Sequence, residues 1–522
     1  MITDKRLNAN GQQLSTQLVA AKTVGANKPS GRLINVAGVG HVVSAAYEQL
    51  RNAAEYAQEH LLIQNAIRRF YVRSVSFHNH IPISKTIAEE LIIELTQSGY
   101  IPNNTVDYGT IEKLGNTVSK VYENYWRMAV TGVDERKAHN WTLDLLSIES
   151  EDMLVENKLQ TIYLQFAYHH YRSILRKESF TTNQFEEDNF DVSLYVAVHK
   201  ALLKSGIAAV RYDMQKLYKT SDEDITIYAH FHENIDSTFN SPVTNKLSRY
   251  INKYGAPLRV LRSMIQDEDN VSEILADPAR FDHAYAAQIK KDYRKAEFKL
   301  NKGLVKSIVF LLITKSLIGL AIEVPYDLAV SGAILFIPLI VNLLTPIVYL
   351  ALLRLGFKMP GSTNARAMSA YAEDMLYGDK ETANLYPAVK NKVYPTGFKI
   401  AYFLLFLIVF TFVSYLLMIV GFSLVQGAIF FTFLAAASFL GVGLSRIVQE
   451  LELVVEKPGL LNTLRDLLFT PFTVLGKWIS DKYQKVNIVA LVLDTLIELP
   501  LKTALRLLRQ WTGFLDDKKD EI

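Results

Sequence analysis

Apolar positions along this chain change their rhythm twice. From about residue 33 to residue 300 they recur in steps of three and four. Two long apolar blocks follow, Leu304–Leu353 and Phe398–Leu444, and then the three–four steps return. Each block is about twice the ~20 residues that cross a hydrocarbon core at 1.5 Å rise per residue. Each also breaks near its middle, the first at Glu323-Val324-Pro325-Tyr326-Asp327 and the second between Gly421 and Gly427. The pattern predicts two transmembrane helical hairpins, four spans in all.

In the stretch before the blocks, apolar steps of three and four predict amphipathic helices. Residues 1–30 lack sustained periodicity and read as a flexible lead-in. A long helix is expected from near Leu33, through Val36, Val39, Val43, Leu50 and Leu61, with Gly38 and Gly40 in its first turns. Further helices are expected over Ile87–Leu95, Ile111–Met128 and Met153–Leu175, then over Val192–Leu203 and Ile207–Tyr218, divided at Gly206. Ser241-Pro242 and Asp277-Pro278 place an N-cap and a first-turn proline at two more helix starts. The helix begun at Pro278 could continue unbroken into the first span. Two short segments depart from this rhythm by alternating with period two, one around His78 and His80, the other around His230 and His232. On a strand each pair would present two imidazoles side by side.

The expected fold is therefore predominantly α. Its domains are a lead-in (1–30), a helical cytoplasmic domain (31–303), hairpin 1 (304–353), a cytoplasmic loop (354–397), hairpin 2 (398–445) and an amphipathic membrane-proximal tail (446–522). In the tail, Leu501, Leu505 and Leu508 line one face while Lys502, Arg506 and Arg509 line another, with Trp511 nearby. Such a helix suits the membrane surface, or docking on the protein itself.

Charge sets the expected orientation. Lys290, Lys291, Arg294, Lys295, Lys299 and Lys302 precede the first block, and Arg446 follows the last span. The central loop carries Arg354, Lys358, Arg366, Lys380, Lys390, Lys392 and Lys399, whereas both mid-block breaks lack Lys and Arg. Excess Lys and Arg marks the cytoplasmic side, so both termini are expected there, in a plasma or inner membrane. The net charge of +3 leaves no nucleic-acid footprint. The absence of cysteine removes disulfides and thiol catalysis. No apolar leader occupies the first 30 residues, so the first span is expected to direct insertion.

Candidate chemistry is sparse. No P-loop, nucleophile elbow, HExxH motif or Glu-x-x-His pair is present, which weighs against the commonest nucleotide-dependent, hydrolytic and metal enzymes, and no cofactor is expected. Lys315 stands near the middle of the first span, and an ammonium there costs a few kcal/mol unless it faces protein or water. Glu323 and Asp327 at the expected outer turn are its possible counter-charges, and Asn342 adds polarity to the second span. His78, His80, His230 and His232 form the candidate metal set, since four neutral imidazoles could hold a zinc-like ion. Ala329-x-x-x-Ala333 and Ala437-x-x-x-Gly441 offer small-residue contacts between helices. The leading functional expectation is a non-catalytic membrane scaffold whose cytoplasmic domain organises protein partners, with membrane shaping as one version and the bilayer as a partner. The alternatives are an oligomeric channel or small-solute transporter using Lys315, and an enzyme whose site lies in the cytoplasmic domain.

Overall fold

In a computed structural model the protein is described at residues 6–24, 31–36, 41–54, 59–80, 82–83, 86–155, 158–220, 222–378, 395–454, 467, 469–478, 500, 502–504, 507 and 511. Helix dominates, and among these residues the only β pairing is one isolated bridge between Leu33 and Asp107. The chain forms two compact units. One contains residues 12–251 and 487–522, the other residues 1–11 and 252–486. Residues 252–303 therefore cluster with the membrane segments.

In the unit of residues 12–251, the expected helices appear as Ile87–Gln97, Tyr108–Val130, Phe190–Val198, Ile207–Tyr218 and Pro242–Tyr254. Phe190–Val198 continues as a π turn through Leu203. The Asp107 side chain caps Tyr108–Val130 by accepting from Thr110 N, meeting one of the orphan donors at a helix start. Several boundaries differ from expectation. Part of the lead-in is a helix, Ala9–Val24, with Leu14 and Leu18 buried. No helix starts at Leu33, because Ile34 N donates to Val106 O and holds that segment extended; the helix begins at His41. Glu135–Leu154 and Lys158–Ile174 are separate helices where one was expected from Met153.

The period-two segment around His230 is also helical. Ile225–Asn240 begins where Asp224 accepts from Thr226 N and Ile227 N, a cap that outweighs the short alternation. His78 and His80 lie in a non-helical, exposed segment after the helix Glu59–Ser74.

In the other unit four helices are long and apolar enough to cross a membrane, by length and composition: Pro278–Ser331, Phe336–Arg354, Thr396–Ile419 and Leu424–Gln449. The helix from Pro278 does run on unbroken, to Ile318, and a π turn over Gly319–Glu323 carries it into Val324–Ser331. The first break accordingly falls at 332–335, not at 323–327. Pro325 begins the continuing segment instead of stopping the helix. Helix termination belongs to Gly332, whose φ of +69° is a left-handed conformation that glycine adopts without Cβ strain. Gly421, φ +89°, ends the third candidate span in the same way.

The fourth span packs closely against both the first and the second. A Cβ on Gly303 would come within 2.7 Å of Leu444 Cδ2, and one on Gly441 would collide with Leu353 Cδ1. Ala437 is fully buried beside this contact, so Ala437-x-x-x-Gly441 is a packing surface. Ala329, just before the break, and Ala333, within it, are both exposed and pack no helix face. Outside the spans, Asn364 uses its whole amide. Its Nδ2 donates to Tyr293 Oη and Leu451 O, and its Oδ1 accepts from Leu453 N and Val454 N. That joins the helix Ser362–Tyr377 of the central loop to the segments just before the first span and just after the fourth.

Candidate functional site in the membrane bundle

Lys315 sits three turns into the apolar part of its helix, with only 3% of its surface exposed. Its Nζ donates to Glu323 Oε1 at 2.7 Å, eight residues further along. In an undisturbed α-helix eight residues turn through about 800°, which would leave the two side chains roughly 80° apart. The π turn Gly319–Glu323, with its wider i→i+5 rings, turns less per residue and brings both toward one face. Pro325 gives that turn a cause: it has no N–H for the Ala321 carbonyl, so the ladder is already interrupted there. The Phe433 ring, centroid 4.6 Å from Nζ, covers another side of the ammonium.

Glu323 is completely buried, and its second oxygen accepts from Asn342 Nδ2 at 3.0 Å. The same Nδ2 reaches Gln426 O at 3.3 Å, so Asn342 ties the second span to the fourth. Gln426 in turn donates from Nε2 to both Asp327 oxygens, at 2.9 and 3.1 Å. Asp327 Oδ2 also accepts from Leu335 N at 3.2 Å. Asp327 thereby lies at two helix N-termini, those of Phe336–Gly356 and Leu424–Gln449. The positive ends of their dipoles offset a charge that no cation among the described residues pairs. Gln426 serves twice, because its Oε1 accepts from Ser423 N while Ser423 Oγ accepts from Gln426 N, a complete capping box.

Lys315, Glu323, Asp327 and Asn342, the four polar residues singled out in the sequence, therefore belong to one buried network. Gln426 is the member that sequence reading missed. Its only signal was its place three residues after Ser423, the spacing of a capping box. One acceptor is left over: Asn342 Oδ1 is buried without a hydrogen-bond partner. Pro346, inside the same helix, has no N–H to give to the Asn342 main-chain carbonyl.

The four histidines are not brought together in the way the alternating pattern implies. On the helix Ile225–Asn240, His230 faces out and His232 is wholly buried between Tyr228 and Trp141, with ring centroids 4.4 and 5.6 Å away. Residues two apart diverge on a helix, so the shared face on which the metal reading depended does not form. His80 Nε2 lies 3.2 Å from Glu123 Oε2 and His78 is exposed. Among the described residues no group of three His, Asp or Glu converges as metal ligands would.

Of the tail residues, Leu501, Leu505, Arg506, Leu508 and Arg509 lie outside the described residues. Trp511 is exposed. Lys502 is buried, donating to Ser44 Oγ at 3.2 Å and Ser98 Oγ at 3.0 Å, with Glu48 and Glu94 carboxylates at 3.4 and 3.5 Å. That environment is protein, not lipid headgroup. No protein-family model, curated protein or solved structure matches this chain.

Proposed function

We propose that this is a polytopic membrane protein whose bundle acts as a rigid anchor, holding a helical cytoplasmic domain at the bilayer where it organises protein partners. The observation that carries the reading is the closed Lys315–Glu323 pair. An ammonium that lined a conducting path would be expected to meet water, whereas this one is enclosed by a carboxylate and the Phe433 ring. A buried polar network with nearly every group partnered fixes helix register, which an anchor requires. The Lys502 contacts favour docking of the tail on the soluble unit over membrane shaping. On this reading both termini face the cytoplasm, in a plasma or inner membrane, as the excess of Lys and Arg flanking the spans favours.

The test is domain replacement. Proximity labelling in cells should return the same partners when residues 304–445 are exchanged for an unrelated four-span anchor. Loss of the whole partner set, with expression and membrane insertion intact, would overturn the scaffold reading. A second reading, transport through an oligomer, draws on the network's two carboxylates against one ammonium and on the unpartnered Asn342 Oδ1. Reconstituted liposomes decide it. A cation or proton flux abolished by Asn342→Leu would favour transport, and flux equal to protein-free vesicles would favour the anchor.

A further inference from the structure

In the unit of residues 12–251, the helices Lys158–Ile174, Phe190–Val198 and Ile207–Tyr218 surround a partly open cavity of about 230 Å³. Each helix contributes one face, through residues three or four apart: Gln165, Tyr168 and His169 from the first, Asp191 and Tyr195 from the second, Met214 and Tyr218 among those of the third. Tyr168 and Tyr195 meet edge to face, with centroids 5.6 Å apart and planes at 70°, so their rings form two walls of a corner. Met214, almost fully buried, closes the inner end. Tyr218, 54% exposed, stands at the rim.

The pocket is aromatic, with one carboxylate, Asp191, in its lining. The Tyr168 and Tyr218 hydroxyls are pushed up by burial first and by the Asp191 charge second, and Tyr195 is pushed up by burial and then by Asp213. All three rings therefore stay neutral phenols. Arg172 pairs with Asp191 from beside the cavity, its guanidinium 5.8 Å from the Phe190 ring centroid. Neither Arg nor Lys lines the cavity itself.

We propose that this cavity binds a quaternary ammonium group, with the rings of Tyr168, Tyr195 and Tyr218 around it and Asp191, shared with Arg172, at its edge. Aromatic faces carry negative electrostatic potential and attract a nearby cation, and aromatic cages recognise quaternary ammonium ions in this way. The volume falls below the ~300–1,000 Å³ usual for drug-sized ligands, which fits a headgroup and not an extended cofactor. Free choline-type solutes and phosphocholine lipids share this group.

The experiment uses the full chain in maltoside micelles, with choline as the probe and 3,3-dimethylbutanol as its uncharged isostere, titrated by calorimetry. Choline should bind at least about tenfold more tightly than the alcohol, as cation–π attraction at a partly desolvated site requires. Tyr218→Ala, a change at an exposed rim position, should weaken choline binding severalfold with an unchanged circular dichroism spectrum. No saturable choline binding, equal binding of the alcohol, or an unaffected Tyr218→Ala would each overturn the proposal. In nanodiscs, competition by phosphocholine lipid would assign the site to a lipid headgroup, and its absence would assign it to a soluble cation; either result supports the site.

Discussion

At the residue scale, the buried pair in the bundle has a defined energetic signature. Removing one member leaves the other as an uncompensated charge, which costs about 3–5 kcal/mol, whereas removing both can be close to neutral. Lys315→Met and Glu323→Gln are therefore each expected to lower thermal stability in detergent strongly, and the double variant to recover most of the loss. A double variant as unstable as the sum of the singles would contradict the pairing. Glu149, in the other unit, makes a pH-dependent prediction. Burial pushes its carboxyl up to about 7, against the opposing Lys120 and Lys216 charges. Its folded pKa lies above the unfolded value, so it destabilises the unit above pH 7, and this penalty fades as pH falls toward 4.5. Glu149→Gln should stabilise the protein by about 1–3 kcal/mol at pH 8 and by little at pH 5, read from denaturation midpoints at both values. Burial also pushes His170 down to about 4, which works in the opposite direction below pH 6.5, so the comparison must be with wild type at each pH.

Among elements, the decisive feature is the π turn at Gly319–Glu323, which moves Glu323 and Asp327 from an expected loop into the bundle. The sequence showed Pro325 there, and proline inside an apolar block is read naturally as a turn. A proline just beyond a π turn instead continues the helix, and only the packing of three neighbouring segments reveals it. Gly441 gives the corresponding packing test. Its missing Cβ admits Leu353, so Gly441→Leu should destabilise the bundle by about 1–3 kcal/mol through overpacking, unlike Gly443→Leu, whose Cβ meets nothing within 4 Å. Equal melting temperatures for the two variants would remove this contact from the account.

For the whole molecule, four spans require the breaks at 332–335 and 420–423 to share one side of the membrane and Thr363 to lie on the other. The chain has no cysteine, so single probes can be introduced without background. Ala333→Cys and Val420→Cys should react with an impermeant maleimide from outside intact cells, and Thr363→Cys only after permeabilisation. External labelling of Thr363→Cys together with Ala333→Cys would end the four-span arrangement, and external labelling of Thr363→Cys alone would reverse its orientation. The unit of residues 12–251 also includes residues 487–522, and its Lys502 contacts predict that Lys502→Met frees the tail. Faster proteolysis near residue 500, with the melting of the rest unchanged, would be the sign.

The sequence by itself determined the four apolar helices, the helical character of both units and, apart from Gln426, the identity of the polar residues in the buried network. These follow from local rules, since hydrocarbon imposes a minimum apolar length and makes every exception conspicuous. Helix starts at Pro242 and Pro278 were legible for the same reason, because a cap acts within one turn. Tertiary structure alone decided which groups those exceptions meet. Asp327 and Gln426 are 99 residues apart and Lys502 lies 404 residues from Ser98, and no periodicity along the chain encodes such pairings. It also decided against the side-by-side histidines, where a helix cap at Asp224 and the apolar surroundings of His232 outweighed a few residues of alternation. The three-helix cavity was invisible for a related reason: its tyrosines are ordinary core spacing on each helix and become a site only where three such faces meet.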